Sequence, residues 1–337
     1  MDGASQSVGD NRPKTPDRVS FSKLGDVVLV LQDKRELTVF SHLLTHASTT
    51  FRVLFGPHFA EGQQERGVQQ PLRLPLPDDD SEAIIDLCAI LHLKPIHNVN
   101  SSGDGTVAII RIVGLAITAD KYDCTSSIEL ASNGLLSRFM QLGGTSGLSM
   151  GALSDLVLAT YHLRLPRHFA VFTSRLVVDH DGQYSKLLDE PVVDRLGAVF
   201  IVYLDEQRSA ARKKCLELIE GLGKKWCCTE SASSSYMHAF AVTKHHNIQS
   251  VGLHHDLHSC SLSQTLYRLA KSDIVSCGLA CDHGPSRTAI NQEKYEKLAS
   301  DVKDVAHGLC LDCVTAAPGK CTHQDVLLRY IRENGGA

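Results

Sequence analysis

Cysteine is the residue type with the most chemical potential in this sequence, and most of its 11 cysteines lie after residue 200. Cys310 and Cys313 are separated by two residues, the spacing at which two thiolates in a tight turn bind one tetrahedral zinc ion. Cys277 and Cys281 form a second pair upstream, and an amphipathic helix predicted between the pairs would fold them together. These four thiolates are therefore the candidate ligands of a structural zinc site.

Three further residues compete as ligands, namely His283, Cys321 and His323. Cys321 and His323 could complete the site with Cys310 and Cys313 instead of the upstream pair. The alternative, reduced structural thiols without a metal, is the interpretation that we favour over zinc. A disulfide framework is not expected, because residues 1–18 are polar and predict no secretory signal, and intracellular thiols stay reduced. We expect an intracellular protein, cytoplasmic or nuclear.

Catalytic motifs offer little support for an enzyme. The sequence has neither the HExxH zinc-protease motif nor a GxxxxGK[ST] phosphate loop, and we expect no GxSxG nucleophile elbow. Asp78, Asp79 and Asp80 could attract a hard cation, but a cap and acidic first turn of a helix explain them better. Cys227 and Cys228 follow two lysines without an accompanying base. We expect no enzymatic activity, and a metal- or thiol-dependent enzyme in the C-terminal half is the alternative.

Charge and hydropathy exclude two further classes. There are 34 basic and 38 acidic residues, a net charge of −4, which does not predict a nucleic-acid-binding protein. The short basic cluster Arg212–Lys214 falls on a predicted helix and is expected to be a solvated face. No apolar run is long enough for a membrane span. The histidine-rich stretch 238–258 is expected to be a solvated loop.

The elements that would position these residues begin with a small sheet. Val27–Leu31 is a continuous apolar run that predicts a buried strand, and 36–40 predicts its hairpin partner. Apolar residues at helical spacing follow, up to the stop signal Gly56-Pro57. Residues 72–76 alternate and contain Pro75, which predicts an edge strand. The later predicted helices of this part begin at Ser81, near Ile109 and near Ser127.

In the second half of the sequence, the hydrophobic pattern predicts helices and no strands. Residues 1–20 lack periodicity and predict a disordered tail, and the glycine cluster 143–147 predicts a domain boundary. Helices are expected over 153–161, after Pro166, and from Arg195 to Ile219. The predicted domains are therefore 21–142 and 148–337, with a zinc-stapled segment at 277–323.

Several short motifs of the first domain resemble the BTB/POZ domain, in particular the BTB proteins of filamentous fungi. They are Gly25 to Val30, Phe51 to Phe55, the run Gly56-Pro57-His58-Phe59-Ala60-Glu61-Gly62-Gln63, Pro71 to Asp80, and Ala119 to Tyr122. The resemblance covers about residues 20–140 and implies an α+β fold, a small sheet with a helical cluster, followed here by a mainly α-helical domain. Trp226 to Cys228 and Gly308 to Cys313 extend it weakly into the second half.

The resemblance implies a role in protein association. BTB domains commonly form homodimers, and some recruit a cullin ubiquitin ligase or act in transcriptional regulation. The implied motif residues are Asp26, Phe40, Phe51, Phe55, Gly56, Pro57, His58 and Phe59, with an interface expected around 40–59. The family usually has a histidine where this sequence has Phe40, which we expect to pack as an apolar side chain.

The zinc hypothesis leads to a first test. If the four thiolates bind zinc, the protein purified without chelators should contain one equivalent of the metal. Replacing Cys310 and Cys313 with serine should remove the metal and unfold the C-terminal segment, because metal binding contributes about 10–16 kcal/mol of apparent folding free energy in small zinc modules. Elemental analysis with circular dichroism measures both. Metal-free wild-type protein would contradict the hypothesis.

Overall fold

A computed structural model describes residues 17–96, 105–141, 148–180, 182–224, 261–264, 297, 300 and 308–315. The chain divides into two compact units, Met1–Ala131 and Ser132–Ala337. The predicted joint at 143–147 lies outside the described residues. No helix in the described ranges is long and apolar enough to cross a membrane.

Unit 1 contains a four-stranded mixed sheet of β1 (Arg18–Ser20), β2 (Val27–Leu31), β3 (Glu36–Val39) and β4 (Leu72–Leu76), in the order β1-β3-β2-β4. β2 and β3 form the predicted antiparallel hairpin, and β4 runs parallel to β2 at the sheet edge. The prediction of a disordered tail through residue 20 is wrong at its end, because Arg18–Ser20 pairs in parallel with β3.

Strand alternation gives the sheet one apolar face and one face that carries both polar and apolar side chains. Leu29, Leu37 and Leu74 are buried on the face that forms the core. On the opposite face Glu36, buried on β3, accepts hydrogen bonds from Arg18 Nε at 2.7 Å and from an Arg73 terminal nitrogen at 2.5 Å. The hydrogen bond from Arg73, followed by that from Arg18, holds the pKa of Glu36 below its usual value. One carboxylate thus links β3 to both edge strands.

The helices of unit 1 confirm most predictions and correct one. They are α1 (Ser41–Ala47), α2 (Thr49–Leu54), α3 (Ala60–Gln63), α4 (Ser81–Leu91) and α5 (Gly105–Lys121), and α6 (Glu129–Gln141) crosses into unit 2. The single helix predicted up to Phe55 is two helices. Ser48 between them has extended backbone angles, and its hydroxyl accepts a hydrogen bond from the backbone N–H of Phe51 at 2.9 Å, which caps α2.

The described part of unit 2 is helical, as predicted, with α7 (Met150–His162), α8 (Pro166–Asp179), a 3-10 helix (Tyr184–Leu187), α9 (Pro191–Leu196), α10 (Val199–Lys224) and α11 (Leu311–Thr315). The long helix predicted from Arg195 begins only at Val199. Gly197 separates it from α9 at a φ of 77°, a left-handed conformation that favours glycine. The overall class, α+β, is confirmed.

Gly62 provides a test of the chain path after α2. A methyl group there would overlap the backbone carbonyl of Gly56, whereas a methyl group at Gly67 would meet open space. Gly62→Ala should lower the free energy of unfolding by about 1–3 kcal/mol, and Gly67→Ala by less than about 0.5 kcal/mol. Urea denaturation of the two variants measures this, and equal effects would refute the close approach.

Candidate interaction surface

Two of the predicted motif aromatics belong to the core of unit 1. Phe51 is fully buried and stacks on Tyr122, with ring centroids 4.5 Å apart, and on Phe55 at 5.9 Å. The hydroxyl of Tyr122 donates to Asp79 at 3.0 Å. Phe51 and Phe55 therefore stabilise the fold and are not available to a partner.

The end of the same motif is exposed. Phe59 is 45% exposed, and Pro57 and His58 are also exposed, before α3. Two more large apolar side chains lie on the preceding helices, Leu43 on α1 at 37% exposure and Val53 on α2 at 55%. We refer to Leu43, Val53 and Phe59 as the α1–α3 surface. It falls within the interface region expected from the sequence.

A second apolar surface lies on α5. Val107, Ile110 and Ile117 are 45%, 60% and 38% exposed. Positions 107, 110 and 117 lie on one side of a helix, since each residue advances about 100°. We refer to these three residues as the α5 stripe. Sequence reasoning missed it, because apolar residues also occupy the buried face, so periodicity does not distinguish the two faces.

The helix entry at Phe40 depends on two polar side chains, Asp26 and His92. Asp26 accepts hydrogen bonds from the backbone N–H of Ser41 at 2.7 Å and from its hydroxyl at 2.6 Å, and so holds the start of α1. The N–H of Phe40 donates to His92 Nε2 at 3.0 Å, and the Phe40 side chain is half-buried. His92 Nδ1 lies 2.7 Å from the Cys88 carbonyl oxygen, which it meets as a donor in this tautomer. The buried imidazole of His92, at the end of α4, therefore satisfies the backbone N–H of Phe40.

The acidic cluster is structural. Asp80 caps α4 by accepting from the N–H of Ala83 at 2.7 Å, which confirms the predicted cap. Asp79 is buried and accepts from Lys121 Nζ at 2.6 Å as well as from Tyr122. These contacts tie the start of α4 to the end of α5.

The predicted zinc ligands are only partly within the described residues. Cys310 and Cys313 are half-buried at α11, and the backbone before them is held against α8, where Leu309 N–H donates to Thr173 Oγ1 at 2.8 Å. A methyl group at Gly308 would overlap the carbonyl of Ala170, so this approach requires glycine.

The other candidate zinc ligands lie outside the described residues, namely Cys277, Cys281, His283, Cys321 and His323. Cys227, Cys228 and the stretch 238–258 also lie outside them. Within the described ranges no group of three or more His, Cys, Asp or Glu side chains could hold a metal. Zinc binding stays a prediction.

The cysteines buried in the two units are poor nucleophiles. Burial raises the pKa of Cys124 and Cys215 to about 11 and that of Cys88 still further. At neutral pH these thiols are protonated, and the thiolate is the reactive form.

One catalytic motif was overlooked in the sequence. Residues 147–151, Gly-Leu-Ser-Met-Gly, match the GxSxG pattern of a nucleophile elbow. Ser149, however, precedes α7 with a φ of −61°, and its hydroxyl accepts a hydrogen bond from the N–H of Ala152 at 3.1 Å. This is ordinary helix capping, and the strained turn of a nucleophile elbow is absent at Ser149.

Comparison with known proteins gives no independent assignment: no protein-family model matches the chain, and a search of curated proteins finds no match.

His92 makes the stability of unit 1 sensitive to acid. Burial is the main cause that lowers its pKa, and a proton on Nε2 would abolish acceptance from Phe40. The unfolded state therefore binds more protons below the usual histidine pKa of about 6.5, so this stabilising contribution is present above that pH and is lost as pH falls below it.

The measurement is the pH dependence of chemical unfolding for the wild type and for His92→Gln, whose amide oxygen can still accept from Phe40. Between pH 8 and pH 5 the wild type should lose stability relative to the variant. Parallel profiles would show that His92 is not the titrating group. The comparison is needed because Asp86, whose pKa burial raises to about 6, contributes in the opposite direction.

Proposed function

We propose that unit 1 is a non-enzymatic protein-interaction module that forms a homodimer. The observation that carries the proposal is the α5 stripe, three large aliphatic side chains on one side of a 17-residue helix, each more than a third exposed. Exposed apolar residues gathered on one rigid element favour an interface, whereas single exposed ones need no explanation. The motif resemblance to BTB domains supports the same function.

The spacing of the stripe suits a copy of itself. Ile110 and Ile117 are seven residues apart, the repeat of a helix–helix seam, and Val107 lies one turn before Ile110. Gly114 between the two isoleucines is half-buried, and a methyl group there would contact Ala83 on α4, so this position belongs to the packing of α5 on α4. In a twofold dimer the same patch occurs on both subunits, so one self-complementary helix face is sufficient.

The α1–α3 surface is the basis of a second candidate, a substrate adaptor of a cullin-type ubiquitin ligase or a transcription-associated regulator. Its three apolar side chains alternate with exposed polar ones, among them His42, His46 and Arg52. Such a mixed surface resembles a non-obligate interface with a different protein. Together the two surfaces would allow a dimer that also binds a partner.

The dimer is tested by sedimentation of the full chain. The wild type should dimerise at concentrations on the order of 10 µM, and Ile110→Asp combined with Ile117→Asp should weaken association at least about 100-fold, since two central apolar contacts are each replaced by a buried charge. Val68→Asp, in the loop before β4 and 50% exposed, is the matched control and should leave the dimer intact. A monomeric wild type would refute the proposal, and a dimer that survives the double variant would place the interface elsewhere.

The adaptor candidate is tested by a pull-down with purified cullins. Leu43→Asp with Val53→Asp should abolish any binding while the sedimentation of the dimer is unchanged. Failure of the wild type to bind any cullin would remove this candidate and leave the dimer proposal unaffected.

A further inference from the structure

Arg208 in unit 2 is buried and has a fixed orientation. Its side chain is 3% exposed, its guanidinium carbon lies 3.5 Å from the centre of the Tyr184 ring, and one terminal nitrogen donates to the Gly182 carbonyl oxygen at 2.6 Å. The remaining edge, formed by Nε and the other terminal nitrogen, is buried and has no hydrogen-bond partner among the described residues. A positive charge with an entire unused donor edge is costly inside a protein.

A second guanidinium lies one turn further along α10. Arg212 is half-buried, and its Nε is also buried without a partner. Burial, followed by the charge of Arg208, lowers the pKa of Arg212. The sequence-based expectation that this cluster is a solvated face is therefore wrong for Arg212.

No described group neutralises the pair. Asp205 is the acidic side chain that acts on Arg212, but it is exposed and forms no ion pair within 4 Å of either arginine. Tyr184 donates its hydroxyl to the Leu176 carbonyl oxygen at 2.9 Å, and burial raises its pKa to about 12, so it is uncharged at neutral pH. Within the part of unit 2 that the structure describes, two adjacent cations are thus left without a counter-charge.

Arg111 in unit 1 is a partly buried arginine whose equivalent donor edge is paired with a carboxylate. Arg111 Nε and a terminal nitrogen donate to the two carboxylate oxygens of Asp86 at 3.1 and 2.6 Å. This side-on pair is the bidentate geometry that arginine forms with carboxylates and phosphates. The equivalent edge of Arg208 meets no acceptor in the part of the chain that the structure describes.

We propose that Arg208 and Arg212 form a binding site for a phosphate group. A phosphate monoester carries a charge of about −1.5 to −2 at neutral pH, which matches two guanidinium groups, whereas a carboxylate would neutralise only one. A phosphate monoester also offers three acceptor oxygens to the donors that lack a partner. The site lies in unit 2 and is independent of the dimer proposed for unit 1.

The test uses the full chain and inorganic phosphate as the probe. Thermal unfolding and calorimetric titration are performed at pH 7.5, with chloride, acetate and phosphate compared at equal ionic strength. Phosphate should raise the unfolding temperature in a saturable manner, because a ligand that binds only the folded state stabilises it. Acetate should have a much smaller effect.

Three variants locate the site. Arg208→Met and Arg212→Met should lose the response to phosphate. Arg208→Lys retains the charge without the two-donor edge and should weaken phosphate binding about tenfold or more. Lys213→Met removes an exposed charge from the same helix and should respond like the wild type.

The outcomes decide the proposal in either direction. In chloride alone Arg208→Met should unfold at a higher temperature than the wild type, because it removes an uncompensated buried charge. Absence of a phosphate-specific response in the wild type would overturn the proposal. So would a response that survives in both methionine variants, or an equal response to acetate, which would indicate a carboxylate site instead. If Arg208→Met does not fold, the lysine variant still gives the decisive comparison.

Discussion

The hydroxyl of Ser48 is the contact on which the arrangement of unit 1 depends. It accepts a hydrogen bond from the N–H of Phe51 and donates to the carbonyl oxygen of Tyr122, 74 residues along the chain, at 2.5 Å. Ser48 thus separates α1 from α2, and its hydroxyl oxygen both caps α2 and attaches it to the end of α5. Because Phe51 then stacks on Tyr122, and Tyr122 reaches Asp79 before α4, three distant segments meet at one buried point.

This junction explains which parts of the fold the sequence could predict. β2 and β4 were predicted at their observed bounds, since apolar runs and alternation are local properties. The break at Ser48 was not predicted, because a serine within an apolar helical pattern reads as an ordinary interior residue until its distant acceptor is known. β1 was missed for a related reason: three residues carry too little pattern, and their order depends on pairing with β3 and on the contact of Arg18 with Glu36.

The candidate surface was predictable only in part. The motif Phe51 to Phe59 was recognised, yet sequence alone could not separate its buried aromatics from the exposed Phe59. The α5 stripe was hidden by the apolar character of the whole helix, whose faces are distinguished only by what α4 covers. The role of His92 was equally hidden, because a lone histidine at a helix end gives no sign of the distant N–H that it will accept.

The two units contrast in how they treat buried positive charge. In unit 1 Asp86 lies opposite Arg111, and although burial raises its pKa to about 6, the carboxyl is still mostly ionised at neutral pH and completes the pair. The positive charge of Arg111 is therefore neutralised within unit 1 by Asp86. In unit 2 the aromatic ring of Tyr184 lies against Arg208 without neutralising it, and Asp205, the described acid that acts on Arg212, is exposed. A fold selected only for stability would gain by replacing that arginine with an apolar side chain of similar volume. The retained charge is consistent with an anion that completes the site from outside the chain.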